Sequence, residues 1–222
     1  MPWNMSITDK IVNISSGRPV RTRRNAADAR ENILAAAQAM LIAEGPQVLK
    51  LAEVARAAGV SNASVLHHFG SIAGVQTTLM ERMVASLVDD VLAITLDPAD
   101  PVVSAGRGIA ALFAAFETKG AARLAAWLEL TGESRRLTMV RQAVREVIDR
   151  DVMAYPDAPV GPLEDFILVS ISTALGVGLF GATLSQLLGK PPERARDTAL
   201  AILIDQLRHT LASFDFPRDK PL

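Results

Sequence analysis

Along most of this chain apolar residues return every three or four positions, the spacing that lines one face of a helix. A first helix is expected over 27–44, where Ile33, Leu34, Ala37, Met40 and Leu41 make the stripe and Gly45-Pro46 ends it. Two short helices follow inside 51–71. A long one comes next over 72–94, with Val75, Leu79, Met83, Leu87 and Val91 at every fourth position. Pro98 and Pro101 close it. Further helices are predicted over 102–118, 121–130, 133–155, 162–188 and 193–214. Gly120, Thr131-Gly132, the loop 156–159 and the hinge Gly189-Lys190-Pro191-Pro192 separate them. On the 133–155 helix Glu146 and Arg150 stand at the favourable i, i+4 spacing. No convincing strand appears. The pattern predicts an all-α protein of about nine helices.

The most informative stretch is 51–71, LAEVARAAGVSNASVLHHFGS. Leu51, Val54, Ala55 and Ala58 share one side of a short helix, and Gly59 interrupts it, since glycine alone turns easily into a left-handed conformation at a helix end. Ser61 is placed to cap a second short helix with its hydroxyl. Val65 and Phe69 then face inward, leaving Asn62, Ser64 and His67 outside. Two short helices joined by a glycine turn make a helix-turn-helix, whose second helix fits a DNA major groove. The plainer alternative is a helical hairpin with a merely solvated polar face.

Composition narrows the field. Half of the residues are hydrophobic but only 5% are aromatic, which suits packed helices. There is no cysteine, so disulfides, thiolate catalysis and thiol redox sensing are excluded. The net charge of −1 conceals an asymmetry: residues 1–70 carry eight Lys/Arg against five Asp/Glu, and the remainder is acidic. A basic head on an acidic body suits a chain that meets a polyanion at one end. The segment 1–25 lacks periodicity and ends in the basic run GRPVRTRRN. It reads as a flexible arm, either solvated or tracking DNA through Arg21, Arg23 and Arg24. The expected organisation is therefore an arm over 1–25, a DNA-binding domain over 26–71, and a helical effector-binding and dimerisation domain over 72–222. The opening MPWNMSITDK has no basic start followed by an apolar run, so a cytoplasmic address is expected.

The segment RENILAAAQAMLIAE with Gly45, then VARAAGVS and HHFGS, resembles the DNA-binding domain of the TetR/AcrR family of bacterial regulators. The resemblance covers about the first third of the chain. It implies base-edge contacts by Asn62, Ala63 and Ser64, for which adenine, a thymine methyl and either base are chemically apt partners. It implies phosphate or backbone contacts by Lys50, Ser61, His67 and His68. Three positions depart from the family pattern: Leu66 stands where tyrosine is usual, Ile72 where lysine is usual, and Lys50 where Thr or Ser usually caps. Losing the tyrosine hydroxyl and the lysine weakens the grip on phosphates. Hence a second reading, a family relative with a weakened head that serves as a helical ligand-binding or protein-interaction module.

The stretch 166–189 is free of charge and long enough to span a bilayer, but it holds several Ser, Thr and Gly residues. Ser170, Ala174, Gly178 and Ala182 repeat every fourth residue, a smooth ridge that admits another backbone. With Leu200, Leu203, Leu207 and Leu211 on the next helix, the ridge suggests a four-helix interface of a homodimer, as the family forms, rather than a membrane span. Gly176, Gly178 and Gly181 spell GxGxxG without a preceding strand, so no dinucleotide is expected. His67 and His68 diverge on a helix, and no metal site, cofactor or catalytic motif is legible. The expectation is a DNA-binding regulator rather than an enzyme, its partners double-stranded DNA and a second copy. Met83, Phe113, Phe116, Trp127, Met139 and Phe180 are candidates to line a pocket for a mostly apolar effector, against the alternative that they are ordinary core.

Overall fold

The computed structural model describes residues 19–94, 100–136, 138–154 and 160–212, with the backbone alone at 19–25, 101, 136, 138–141, 151–152, 154 and 211–212. Among these residues all regular structure is helical. The helices are α1 (Pro19–Glu44), α2 (Leu51–Ala57), α3 (Asn62–Phe69), α4 (Ile72–Leu92), α5 (Pro101–Glu117), α6 (Ala121–Leu130) and α7 (Thr138–Ala154). They are completed by α8 (Val160–Leu187) and α9 (Arg194–Ala212). The all-α expectation holds.

Helix α1 starts eight positions earlier than its apolar stripe suggested. Pro19 opens it, a residue whose fixed φ and missing N–H suit a first turn, and no Gly or Pro interrupts the chain before Gly45. Periodicity could not find this extension because the sequence PVRTRRN carries no apolar stripe at helical spacing. Two short 3-10 turns also appear, Pro46–Val48 and Ser134–Arg136, the latter where α7 was expected to have begun.

Two apolar clusters organise the packing. The larger joins Ile33, Leu34, Ala37 and Leu41 of α1 to Val54 and Ala55 of α2, Val65 of α3, and Val75, Leu79, Met80 and Met83 of α4. Ala121, Leu124 and Leu128 of α6 complete it. The core of the N-terminal head thus continues past residue 71 and takes in a helix from the middle of the chain. Gly120, at φ 79°, makes this approach possible: a Cβ there would sit 3.3 Å from Leu41 Cγ. Arg123 reinforces it by donating from Nη2 to the Ile42 carbonyl at 2.9 Å, near the end of α1 where helical carbonyls lack partners. The smaller cluster joins Ile109 and Phe113 of α5, Ala174 of α8, and Ala199 and Leu203 of α9. Phe116 packs against both.

Helix α4 links the two regions. Its far end is held by Arg150 of α7, which donates to the Val91 carbonyl at 2.7 Å, and by an ion pair of 3.2 Å between Lys119 and Asp90.

Helix α8 passes through a π-helical turn at Val177–Gly181, so the glycines of the GxGxxG string lie within a helix and follow no strand. Gly178 has a packing reason. A Cβ on it would lie 2.8 Å from Ala122 Cβ and 3.1 Å from the Phe116 carbonyl. The small-residue ridge therefore does admit another backbone, but the neighbours are α5 and α6 of the same chain.

Candidate nucleic-acid interface

The helix-turn-helix is assembled from local rules. The Leu51–Ala57 helix begins at Lys50, whose extended backbone (φ −105°, ψ 150°) supplies the cap position but no side-chain hydrogen bond. Val54 and Ala55 are buried, and the chain reverses at Gly59 with φ 67°. There the Gly59 N–H donates to the Arg56 carbonyl at 3.2 Å and the Val60 N–H to the Ala55 carbonyl at 3.0 Å. These bonds consume carbonyls at the end of α2 and fix the angle into α3. Ser61 caps α3 as expected, its Oγ accepting from the Ser64 N–H at 3.1 Å.

Helix α3 is two turns long and only Val65 is buried in it. Ser61, Asn62, Ala63, Leu66 and His67 are exposed, while Ser64, His68 and Phe69 are half-buried. Asn62 with Leu66, and Ala63 with His67, are i, i+4 neighbours, so these four make one continuous outward face. Lys50 is exposed at the start of α2. Leu66, 42% exposed, presents an apolar surface amid that polar face, and Ile72 packs against the head core instead of standing out as a basic residue would. The side chains of Arg21, Arg23 and Arg24 lie outside the described residues, although their backbone belongs to α1.

The far end of α3 is held from two sides. Gly70, at φ 72°, donates its N–H to the Leu66 carbonyl at 2.8 Å. Beyond it Ser71 caps α4 through the Gly74 N–H at 3.0 Å. Gly74 is crowded: a Cβ on it would fall 2.0 Å from the Phe69 carbonyl oxygen. From α1, Arg30 Nη1 donates to the His68 carbonyl at 2.9 Å, and its guanidinium lies 4.5 Å from the centroid of the Phe69 ring. Nothing in the local sequence pattern announced Arg30, because its partners lie 38 positions away.

Charge near the interface is partly committed elsewhere. Arg56 pairs with Glu53 one turn back, and this hydrogen-bonded, charged neighbour holds the Glu53 carboxyl below the usual carboxylate range. Arg82 pairs with Glu31 and also bonds Gln38, tying α4 to α1.

The described members of the predicted effector set are spread over both apolar clusters and the surface. Met83 is buried in the larger cluster and Phe113 in the smaller, Phe116 bridges them, and Trp127 is half-buried. Phe180 is 60% exposed, and the Met139 side chain lies outside the described residues. A shallow groove of about 480 Å³ runs along α9 past Asp197, Ala201, Ile202, Asp205 and His209, and none of the predicted residues lines it.

Most of the predicted dimer residues are packed within the single chain. Ala174, Leu203 and Leu207 are buried inside the single chain, Gly178 is packed on α5 and α6, and Leu200 packs against the smaller core. Ala182 is exposed, and the Leu211 side chain is outside the described residues. The apolar surface left uncovered is a different one. Leu168, Val169, Phe180, Leu184, Leu187 and Leu188 are exposed along and just beyond α8, with Ile202 on α9. The same helix, Val160–Leu187, is long and apolar enough to cross a membrane by length and composition.

Residues 33–75 match the family model described as bacterial regulatory proteins, tetR family. Among solved structures, the chain is similar to a transcriptional regulator from Rhodococcus sp. Rha1, at 20% identity and a TM-score of 0.57, over 81% of this chain and 96% of that one. It is also similar to a tetR-family transcriptional regulator from Streptomyces coelicolor, at 20% identity and a TM-score of 0.55, over 88% of this chain and 92% of that one. At this identity the likeness is one of fold. No curated protein matches the chain.

Proposed function

We propose, from the match of residues 33–75 to the model of the TetR family of bacterial regulatory proteins, that the whole is a ligand-responsive repressor binding a palindromic operator as a homodimer. The observation that carries this reading is the outward face of α3. A two-turn helix that buries only Val65, is capped at both ends and presents Asn62, Ala63, Leu66 and His67 has the form of a recognition helix. Asn62, Ala63 and Ser64 are assigned to base edges, and Lys50, Ser61, His67 and His68 to the backbone, with Arg21, Arg23 and Arg24 adding charge at the start of α1. Such a protein works in the cytoplasm, with the chromosome, and needs no cofactor and no catalytic group.

The second copy is assigned to the uncovered stripe of α8 together with the outer face of α9. Seven exposed large apolar side chains, Leu168, Val169, Phe180, Leu184, Leu187, Leu188 and Ile202, support a protein interface there. A small, mostly apolar effector bound among the body helices would act by shifting populations. Because α4 and α6 both pack in the head core and Phe116 of α5 joins that core to the smaller cluster, a displacement of either helix reaches α1 and α3, and so changes the spacing of two heads on successive half-sites.

The test is fluorescence anisotropy of the purified protein on DNA from its own promoter region, at several salt concentrations. Binding that beats random DNA and weakens steeply with salt is expected. Equal, weak binding to both would favour the weakened-head alternative, which rests on exposed Leu66 and core-packed Ile72. That alternative requires Leu66→Tyr with Ile72→Lys to create affinity absent from the wild type.

A further inference from the structure

We propose that Arg30 is the positioning residue of the recognition helix, fixing the angle at which α3 leaves the head. The inference rests on the DNA-binding reading for its purpose but on the head alone for its geometry. Helix α3 has eight residues, too few to be stable by themselves, and one buried side chain. Its orientation must come from what holds its ends. The N-terminal end is set by the turn and by the Ser61 cap, both within a few residues. The C-terminal end is turned into α4 by Gly70 and Ser71, and beyond that local hold it is tied from elsewhere in the fold, since the last helical carbonyls have no partner within the helix.

Arg30 supplies it twice over. Its Nη1 donates to the His68 carbonyl at 2.9 Å, and its guanidinium carbon lies over the Phe69 ring, 4.5 Å from the centroid. The hydrogen bond fixes the height of the helix end, and the cation over the ring restrains its rotation. A cation at a helix C-terminus also complements the macrodipole. Arg30 sits one turn before Ile33 and Leu34, which are buried in the head core, so its backbone cannot follow a drifting α3. A guanidinium is suited to both contacts at once, being planar and forked. An ammonium makes only the point-charge part of them.

The experiment compares the full chain with Arg30→Ala and Arg30→Lys, using hydrogen exchange without DNA and anisotropy on the promoter duplex. In both variants the amides of 61–70 are expected to exchange about tenfold faster, the scale of one charge-assisted hydrogen bond, with α4 and α6 unchanged. On DNA, affinity falls about tenfold while the slope of log K against log salt stays at the wild-type value.

A slope reduced by about one would show that Arg30 touches a phosphate itself, and would overturn the proposal. Arg30→Lys behaving as wild type in exchange would overturn it too, because charge alone would then suffice. Unchanged exchange at 61–70 in Arg30→Ala would overturn it outright. If the wild type binds no promoter DNA, the operator reading fails while exchange still decides whether Arg30 anchors α3.

Discussion

Single residues in this head are decided by space as much as by propensity, and Gly74 is the sharpest case. A glycine inside a helix ordinarily costs about 1 kcal/mol relative to alanine, so Gly74→Ala on α4 should stabilise by that rule. The Phe69 carbonyl oxygen 2.0 Å from the new Cβ reverses the sign. Backbone cannot yield as a flexible side-chain end does, and overpacking typically costs about 1–3 kcal/mol. Gly74→Ala is therefore expected to lower stability in urea unfolding and to loosen the α3–α4 junction. Glu117 is a second case. Burial at the end of α5 pushes its carboxyl above the usual range, opposed by Arg196 at 3.9 Å. With the folded value raised, the stabilising contribution is complete below the unfolded pKa and is lost as pH rises through the folded one. Glu117→Gln should flatten that part of the stability–pH curve and raise neutral-pH stability modestly, as thermal melts between pH 4 and 7 would show. Ser61 and Gly59 were legible in the sequence because caps and left-handed turns are local events. Arg30 and Gly74 were not, since their reasons lie in atoms brought close only by the fold.

At the scale of elements, periodicity located helices well and assigned their faces less well. The ridge Ser170, Ala174 and Gly178 was legible as a place of close approach, yet two solutions satisfy such a ridge, a helix of another chain or one of its own. Phe116 and Ala122 fill it here. A pattern of small residues carries no information on which partner arrives. The extension of α1 to Pro19 was invisible for the converse reason, having no apolar stripe to report it. Reassigning the ridge moves the homodimer expectation to the opposite side of α8. Leu184 and Leu188, four positions apart and both exposed, belong to that surface. Leu184→Glu with Leu188→Glu is expected to convert a dimer to a monomer in sedimentation velocity, since two charges buried without partners cost several kcal/mol. Helix content should hold in circular dichroism because neither side chain contributes to the core. A wild type that already sediments as a monomer would remove this interface and with it the two-head model of operator binding.

For the whole molecule, the consequential observation is that the core of the head extends beyond residue 71. A boundary at residue 71 follows the motif, but the larger cluster counts Val75, Leu79, Met80 and Met83 from α4 and Ala121, Leu124 and Leu128 from α6 among its buried members. A fragment ending at 71 would keep all three helices of the motif and lose nearly half of the apolar side chains that hold them. Short helices without such burial are marginal in water. The fragment is expected to show weak helicity and no cooperative melt, whereas the full chain should unfold with tryptophan fluorescence and far-UV dichroism coinciding. Extending the fragment through α4 should not restore cooperativity, because Leu41 and the Ile42 carbonyl still lack Gly120, Arg123 and Leu124. The same arrangement is what would let a body ligand reach DNA. If α6 is structural to the head, the free energy of any event that moves it is felt by α1, and through α1 by the recognition helix. Arg123→Ala tests the link without removing the core. It should speed exchange at the last turn of α1, near Ile42, while leaving α8 and α9 protected. A fragment ending at 71 that melted cooperatively would instead establish an independent head, and leave α4 to carry any signal alone.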